Sequence, residues 1–279
     1  MIRWRRMSGV ALVLLAVRGV AVAGVSADAA QALVHKSGLW GQLESLGSQV
    51  RGGMDAAAQK SPGKFSTEQT TALFGCVDSS YAATDLRTVA VDAVAGALTP
   101  ADLPALQAWY DGPLGRKIAA TEERSAAEVT DPQERLRRGG EALATATEAR
   151  KTALQAILTE THSVDIMTDI VIEMAVAVQQ GMAGIDPAAG GPSAAELKAN
   201  LSARRPQIVA HYTQLSLPAY AFTYLGLSDD DLKQYAEHLD TPSARAFNDA
   251  SVRGVVRALD AGSVRLGRCL QALRPASGS

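Results

Sequence analysis

Few residues in this 279-residue chain have the type and spacing that chemistry needs. The four histidines, His35, His162, His211 and His238, are scattered, and none stands four residues from another or beside a cysteine. A zinc site needs clustered ligands, so no metal is expected. Phosphate-loop, dinucleotide and Gly-x-Ser-x-Gly patterns are missing too, so no cofactor and no catalytic residue is assigned. Asp102 and Asp231 recur in matching surroundings and would suit acid or base work, yet helix capping accounts for both without chemistry. Arg116 and Arg245 also recur. Each suits an ion pair, with Asp111 and Asp240 at hand, or an anion contact in a groove between helices. Trp109 and Tyr110 are neighbours in a chain that is only 5% aromatic. Adjacent residues on a helix point about 100° apart, so one can enter the core while the other lines a groove that captures a partner. Simple core packing explains the pair equally well.

The elements that would position these residues are stated twice. The segment from Leu98 to Ile118 aligns without gaps on Leu227 to Phe247 at an offset of 129, with Leu98/Leu227, Asp102/Asp231, Leu103/Leu232, Asp111/Asp240, Pro113/Pro242 and Arg116/Arg245 identical. Thr99 to Asp102 and Ser228 to Asp231 each put a hydroxyl at N-cap and a carboxylate at N3, which starts a helix. Leu103, Leu106 and Tyr110 then share a face, as do Leu232, Tyr235 and Leu239. Pro113 and Pro242 end these helices and open the next, after Gly112 and Thr241 as caps. The small residues Gly115 and Ala244 admit a close neighbour. Upstream, amphipathic stretches from Gln31 to Met54 and from His162 to Met182 are each followed by a Pro/Gly loop, around Pro62 and around Pro187 and Pro192. Ser66 to Gln69 and Ser193 to Glu196 then read as capping boxes, with breaks near Asp85 and Pro206.

The predicted fold is all-α: a duplicated helical bundle whose two similar multi-helix units are joined by a long helix. Residues 28–130 form the first unit, 131–161 the connecting segment, with a break at Gly139-Gly140, and 162–275 the second, degenerate unit. Scarce Val/Ile/Thr runs and abundant alanine agree with helices rather than sheet.

The string AWYDGPLGRKIAA after LTPADL resembles a family of bacterial exported proteins known as domain of unknown function 2059. The resemblance rests on Trp109, Tyr110, Pro113, Gly115 and Lys117. The second copy departs from it, with His238 and Leu239 for the aromatic pair, Ala244 for the glycine and Ala246 for the basic residue. The family implies export and helical surroundings and brings no activity with it.

The first 23 residues place Arg3, Arg5 and Arg6 before an apolar run from Val10 to Val17 and the small-x-small triplet Ala21 to Ala23, the layout of a secretory signal. A membrane anchor is the alternative, but Arg18 interrupts a run shorter than the roughly 20 residues a span needs. Cleavage after Ala23 or after Ala27 fits equally. Loss of residues 1–23 removes four arginines and no acid, leaving 23 basic against 29 acidic side chains, a net charge of −6. Nothing basic then tracks a nucleic acid backbone, and no later segment spans a bilayer. Cys76 and Cys269 suit a disulfide in an oxidising compartment, or two buried thiols. The function expected is that of a non-catalytic periplasmic or secreted helper in a bacterium, binding an envelope protein or peptide through Trp109, Tyr110 and Arg116. The alternative is an envelope enzyme or small-ligand carrier. A deep cavity between the units with converging polar groups would favour the latter.

Overall fold

The computed structural model describes residues 24–59, 66–128, 131–185 and 191–273. The expected signal segment and the loops around Pro62 and Pro187 lie outside these residues. The described residues form thirteen helices and no strand: α1 (Ala27–Lys36), α2 (Leu39–Gln59), α3 (Thr67–Ser80), α4 (Ala83–Ala97), α5 (Leu103–Asp111), α6 (Pro113–Ala127), α7 (Pro132–Thr145), α8 (Glu148–Glu160), α9 (Ser163–Ile185), α10 (Ala194–Ala203), α11 (Arg205–Thr223), α12 (Asp229–Leu239) and α13 (Pro242–Ala272). None is long and apolar enough to cross a membrane.

Local chemistry sets most boundaries. Ser66 with Gln69, Ser193 with Glu196 and Ser228 with Asp231 form complete capping boxes. Pro113 and Pro242 stand at the first position of α6 and α13, where a missing N–H costs nothing. The cap at Thr99 differs from expectation. A helix begun there would need the amide of residue 104 as a donor, and Pro104 has none. The chain makes a turn instead, α5 starts at Leu103, and the Thr99 amide and hydroxyl both donate to the Asp102 carboxylate at 2.9 and 2.7 Å. The matching position of the second copy is Lys233, whose amide allows the full box.

Two long stretches also break where an unbroken helix was predicted. The amphipathic run through Gln31 to Met54 turns at Ser37-Gly38, with Gly38 at φ +78°. His162, at φ +50°, makes the corresponding corner between α8 and α9. The connecting segment is two helices, α7 and α8, parted at Ala146 where Thr147 caps α8. Gly139-Gly140 lies inside α7 rather than breaking it. Gly139 serves contact: a Cβ there would sit 1.9 Å from the carbonyl oxygen of Pro218, in the middle of α11.

Packing crosses the expected unit boundaries at 130 and 161. Helices α1 to α4 bury one core, but Phe247, Ala250, Ala258, Leu259 and Leu266 of α13 complete it, with Ala177 of α9. A second core joins Leu154 and Ile157 of α8, Leu232 and Leu239 of α12 and Tyr224 near the end of α11 to Ile118 of α6. Each half thus finishes its core with a helix from the other. Helix α13 lies along α4, and α7 along α11. The small residues Ala250, Gly254, Ala258 and Gly262 recur every four positions on α13, forming a shallow ridge that admits α4 and the Tyr81 ring. Tyr81 hydrogen-bonds Ser263 at 2.9 Å, and a disulfide joins Cys76 of α3 to Cys269 of α13.

Two measurements check this packing. Gly139→Ala is expected to destabilise the protein by about 1–3 kcal/mol through overpacking, whereas Gly140→Ala, with open space around it, should be neutral or gain up to about 1 kcal/mol of helix propensity. Equal effects in urea titration would contradict the α7–α11 contact. Replacing Cys76 and Cys269 together by alanine should cost about 2–4 kcal/mol, because the bridge spans 193 residues of chain. An unchanged unfolding midpoint would contradict it.

Candidate functional site

The α5–α6 corner and the α12–α13 corner face each other across the molecule, and reciprocal contacts hold them. Ser243, in the first turn of α13, donates to Asp102 at the start of α5 at 2.9 Å. Lys117, in the first turn of α6, donates to Asp231 at the start of α12 at 2.6 Å. The lysine and the Ser228 amide hold the Asp231 carboxyl down at about 2, and the Thr99 hydroxyl and amide lower Asp102 likewise. Between these ties the Trp109 ring stacks on His238, with centroids 3.8 Å apart and planes 5° apart. These two residues occupy matching positions in the alignment at the offset of 129, as do Asp102 and Asp231. Tyr110 meets Phe247 of α13 edge-on at 5.8 Å.

Gly115 lets the first corner close. A Cβ there would stand 2.1 Å from the Trp109 carbonyl oxygen, so α6 folds back tightly on α5 and aims both aromatic residues inward. The close approach is to the helix just before it. Ala244 is buried at the matching place in the second corner. Arg116 and Arg245 point away from the shared interior. Arg116 donates to the Asp111 carbonyl, and Arg245 pairs with Asp240 and, at 3.0 Å, with Glu160. Both corner arginines are exposed and spend their charge on their own corner or on α8.

Behind the Trp109–His238 stack lies a cavity of about 410 Å³, walled by α2, α5, α6, α9, α11, α12 and α13. Trp109 and Tyr110 both line it, and Gln42 and Met167, the exposed members of its wall, mark the mouth. One of its polar groups gave little sign of itself in the sequence. Glu122 stands one turn beyond Ile118 on the inward face of α6. Its Oε1 accepts hydrogen bonds from Tyr224 at 2.6 Å and Tyr235 at 3.1 Å. Burial raises the carboxyl above the ordinary glutamate range; the tyrosines pull it back only in part, and neighbouring Glu123 pushes the same way as burial. Burial likewise raises Tyr110, Tyr220, Tyr224 and Tyr235. Ser251, which aligns with Glu122 at the offset of 129, is also on the wall, and its buried Oγ has no hydrogen-bond partner among the described residues. On the far side, Tyr220 hydrogen-bonds Thr161 at 2.9 Å and Ser163.

The site is therefore aromatic, mostly apolar and carries one acid. Among the described residues Glu122 is the only acid lining it and no lysine or arginine does, while desolvation lowers His238 to about 4 and keeps its ring neutral. No group of histidine, cysteine or acidic residues among the described residues is arranged to hold a metal. The one sequence signal for Glu122 was its spacing from Ile118, hidden in the polar run Thr121 to Arg124. No family model, no curated protein and no solved structure matches the chain.

His238 supplies a direct check. Its value in the folded protein lies below the ordinary 6.5, so the stabilisation from the neutral stack is complete above about pH 6.5 and is lost as pH falls toward 4. In a Trp40→Phe protein starting at Gly24, Trp109 is the sole tryptophan, and its emission should change with a midpoint near pH 4. His238→Gln should abolish the transition. A midpoint near 6.5 would mean that the imidazole is open to water.

Proposed function

We propose that this is an exported, non-catalytic protein that binds a small, largely apolar molecule in the cavity between the two corners. The cavity itself carries this proposal: about 410 Å³ lies within the range of small-molecule sites, with aromatic walls and a few converging polar groups. Trp109 and Tyr110 support a pocket more than an outward docking patch, because His238, Tyr235 and Phe247 cover their rings. Of the residues behind the resemblance to the exported family, Trp109, Tyr110, Pro113 and Gly115 build the first corner and Lys117 ties it to Asp231 of the second.

Two further features support the proposal. The order α1 to α6 parallels α8 to α13, with a left-handed corner after α1 and after α8, capping boxes at α3 and α10 and a proline at the start of α6 and α13. We take this as an internal duplication whose halves exchange their last helices and enclose the cavity. Export by cleavage after Ala23 suits the packing better than cleavage after Ala27. The Val25 amide donates to Ala95 of α4 at 3.1 Å, Gly24 has no room for a side chain beside that carbonyl, and Ser26 caps α1.

The test is saturable fluorescence enhancement of the neutral dye N-phenyl-1-naphthylamine. One dye per chain is expected, with enhancement largely lost in Ala119→Phe and Val252→Trp, which fill the cavity from opposite walls. Absent binding, or undiminished binding in both folded variants, would contradict the proposal.

A further inference from the structure

Glu122 is costly where it stands. A carboxylate in an apolar cavity loses its hydration, and hydrogen bonds from two tyrosines recover only part of that loss. Both tyrosines reach Oε1, and among the described residues none donates to Oε2. Among the described residues no lysine or arginine lines the cavity, and the mouth is marked by the uncharged Gln42 and Met167. An acid kept in a pocket without a base is half of an ion pair.

We propose that the other half arrives with the ligand: the cavity takes an organic cation with an apolar body and one ammonium group, which pairs with Glu122. This rests on the binding function proposed above and names the class of ligand. Aromatic walls suit such a molecule twice over, since rings cover an apolar body and attract a cation to their faces. Tyr110, Tyr220, Tyr224 and Tyr235 supply most of that wall. A net charge of −6 on the chain from Gly24 onward favours the approach of cations over anions.

Three probes of nearly equal shape separate charge from apolar burial: 4-phenylbutylamine, 4-phenylbutanol and 4-phenylbutyrate, each displacing N-phenyl-1-naphthylamine from the wild-type protein. The amine should bind at least about tenfold more tightly than the alcohol, as suits a charge-assisted pair in a desolvated site, and the carboxylate more weakly than the alcohol. Glu122→Gln keeps an oxygen for the two tyrosines and should reduce the amine's advantage to less than about twofold. The wild-type ranking alone decides the matter if that variant does not fold. If the alcohol displaces the dye as well as the amine does, the cation assignment is overturned while the cavity remains a binding site. If neither the dye nor any probe binds, the binding function falls with it.

Discussion

Helix α13 leaves the half of the chain that precedes it and lies along α4, and the interior of the molecule depends on that exchange. Its ridge of Ala250, Gly254, Ala258 and Gly262 allows the two backbones to approach within the depth of a methyl group. Side chains that small contribute little area each. The stability of the contact comes from its length, from the Tyr81–Ser263 hydrogen bond and from the bridge between Cys76 and Cys269. In the other direction α6 enters the second core through Ile118, and α7 lies along α11 through Gly139. With the chain crossed in this way, the two proline corners are brought face to face, and the space they fail to fill is the cavity.

The corners then have to be held in register. Reciprocal ties from Ser243 to Asp102 and from Lys117 to Asp231 do this with groups that also start helices. Asp102 and Asp231 therefore have a second task beyond capping, one that spacing along the chain cannot reveal because it depends on the opposite corner. The difference between the two aligned segments has a similar origin. Where they meet, one supplies Trp109 and the other His238, and a flat neutral imidazole stacks on the indole. Glu122 and Ser251 also align, and both line the cavity, one as an acid and the other as a hydroxyl.

Much of the local structure was legible from residue type. Capping boxes, proline starts and the partners of the disulfide follow from chemistry within a few residues or from compartment and count. All-helical composition and the inward faces of α5 and α12 follow from propensity and period. Breaks at Gly38 and Ala146 were not legible, since a helical pattern continues across them and only the surrounding packing makes a corner cheaper than a straight helix. Gly139 misled for the opposite reason: its purpose is a contact with Pro218, far away in sequence. Glu122 was hidden because an acid in a polar run looks solvated until its neighbours Tyr224 and Tyr235, about a hundred residues on, are in place.

Glu122 is an acid held among aromatic side chains, with two tyrosine donors and no cation beside it among the described residues. Carbon-13 NMR of its side-chain carboxyl, assigned by comparison with Glu122→Gln, measures this directly. In the empty protein it should titrate above the ordinary glutamate range, and with saturating 4-phenylbutylamine its midpoint should fall clearly below the empty value. An ordinary midpoint in the empty protein, or one that the amine leaves in place, would contradict the account.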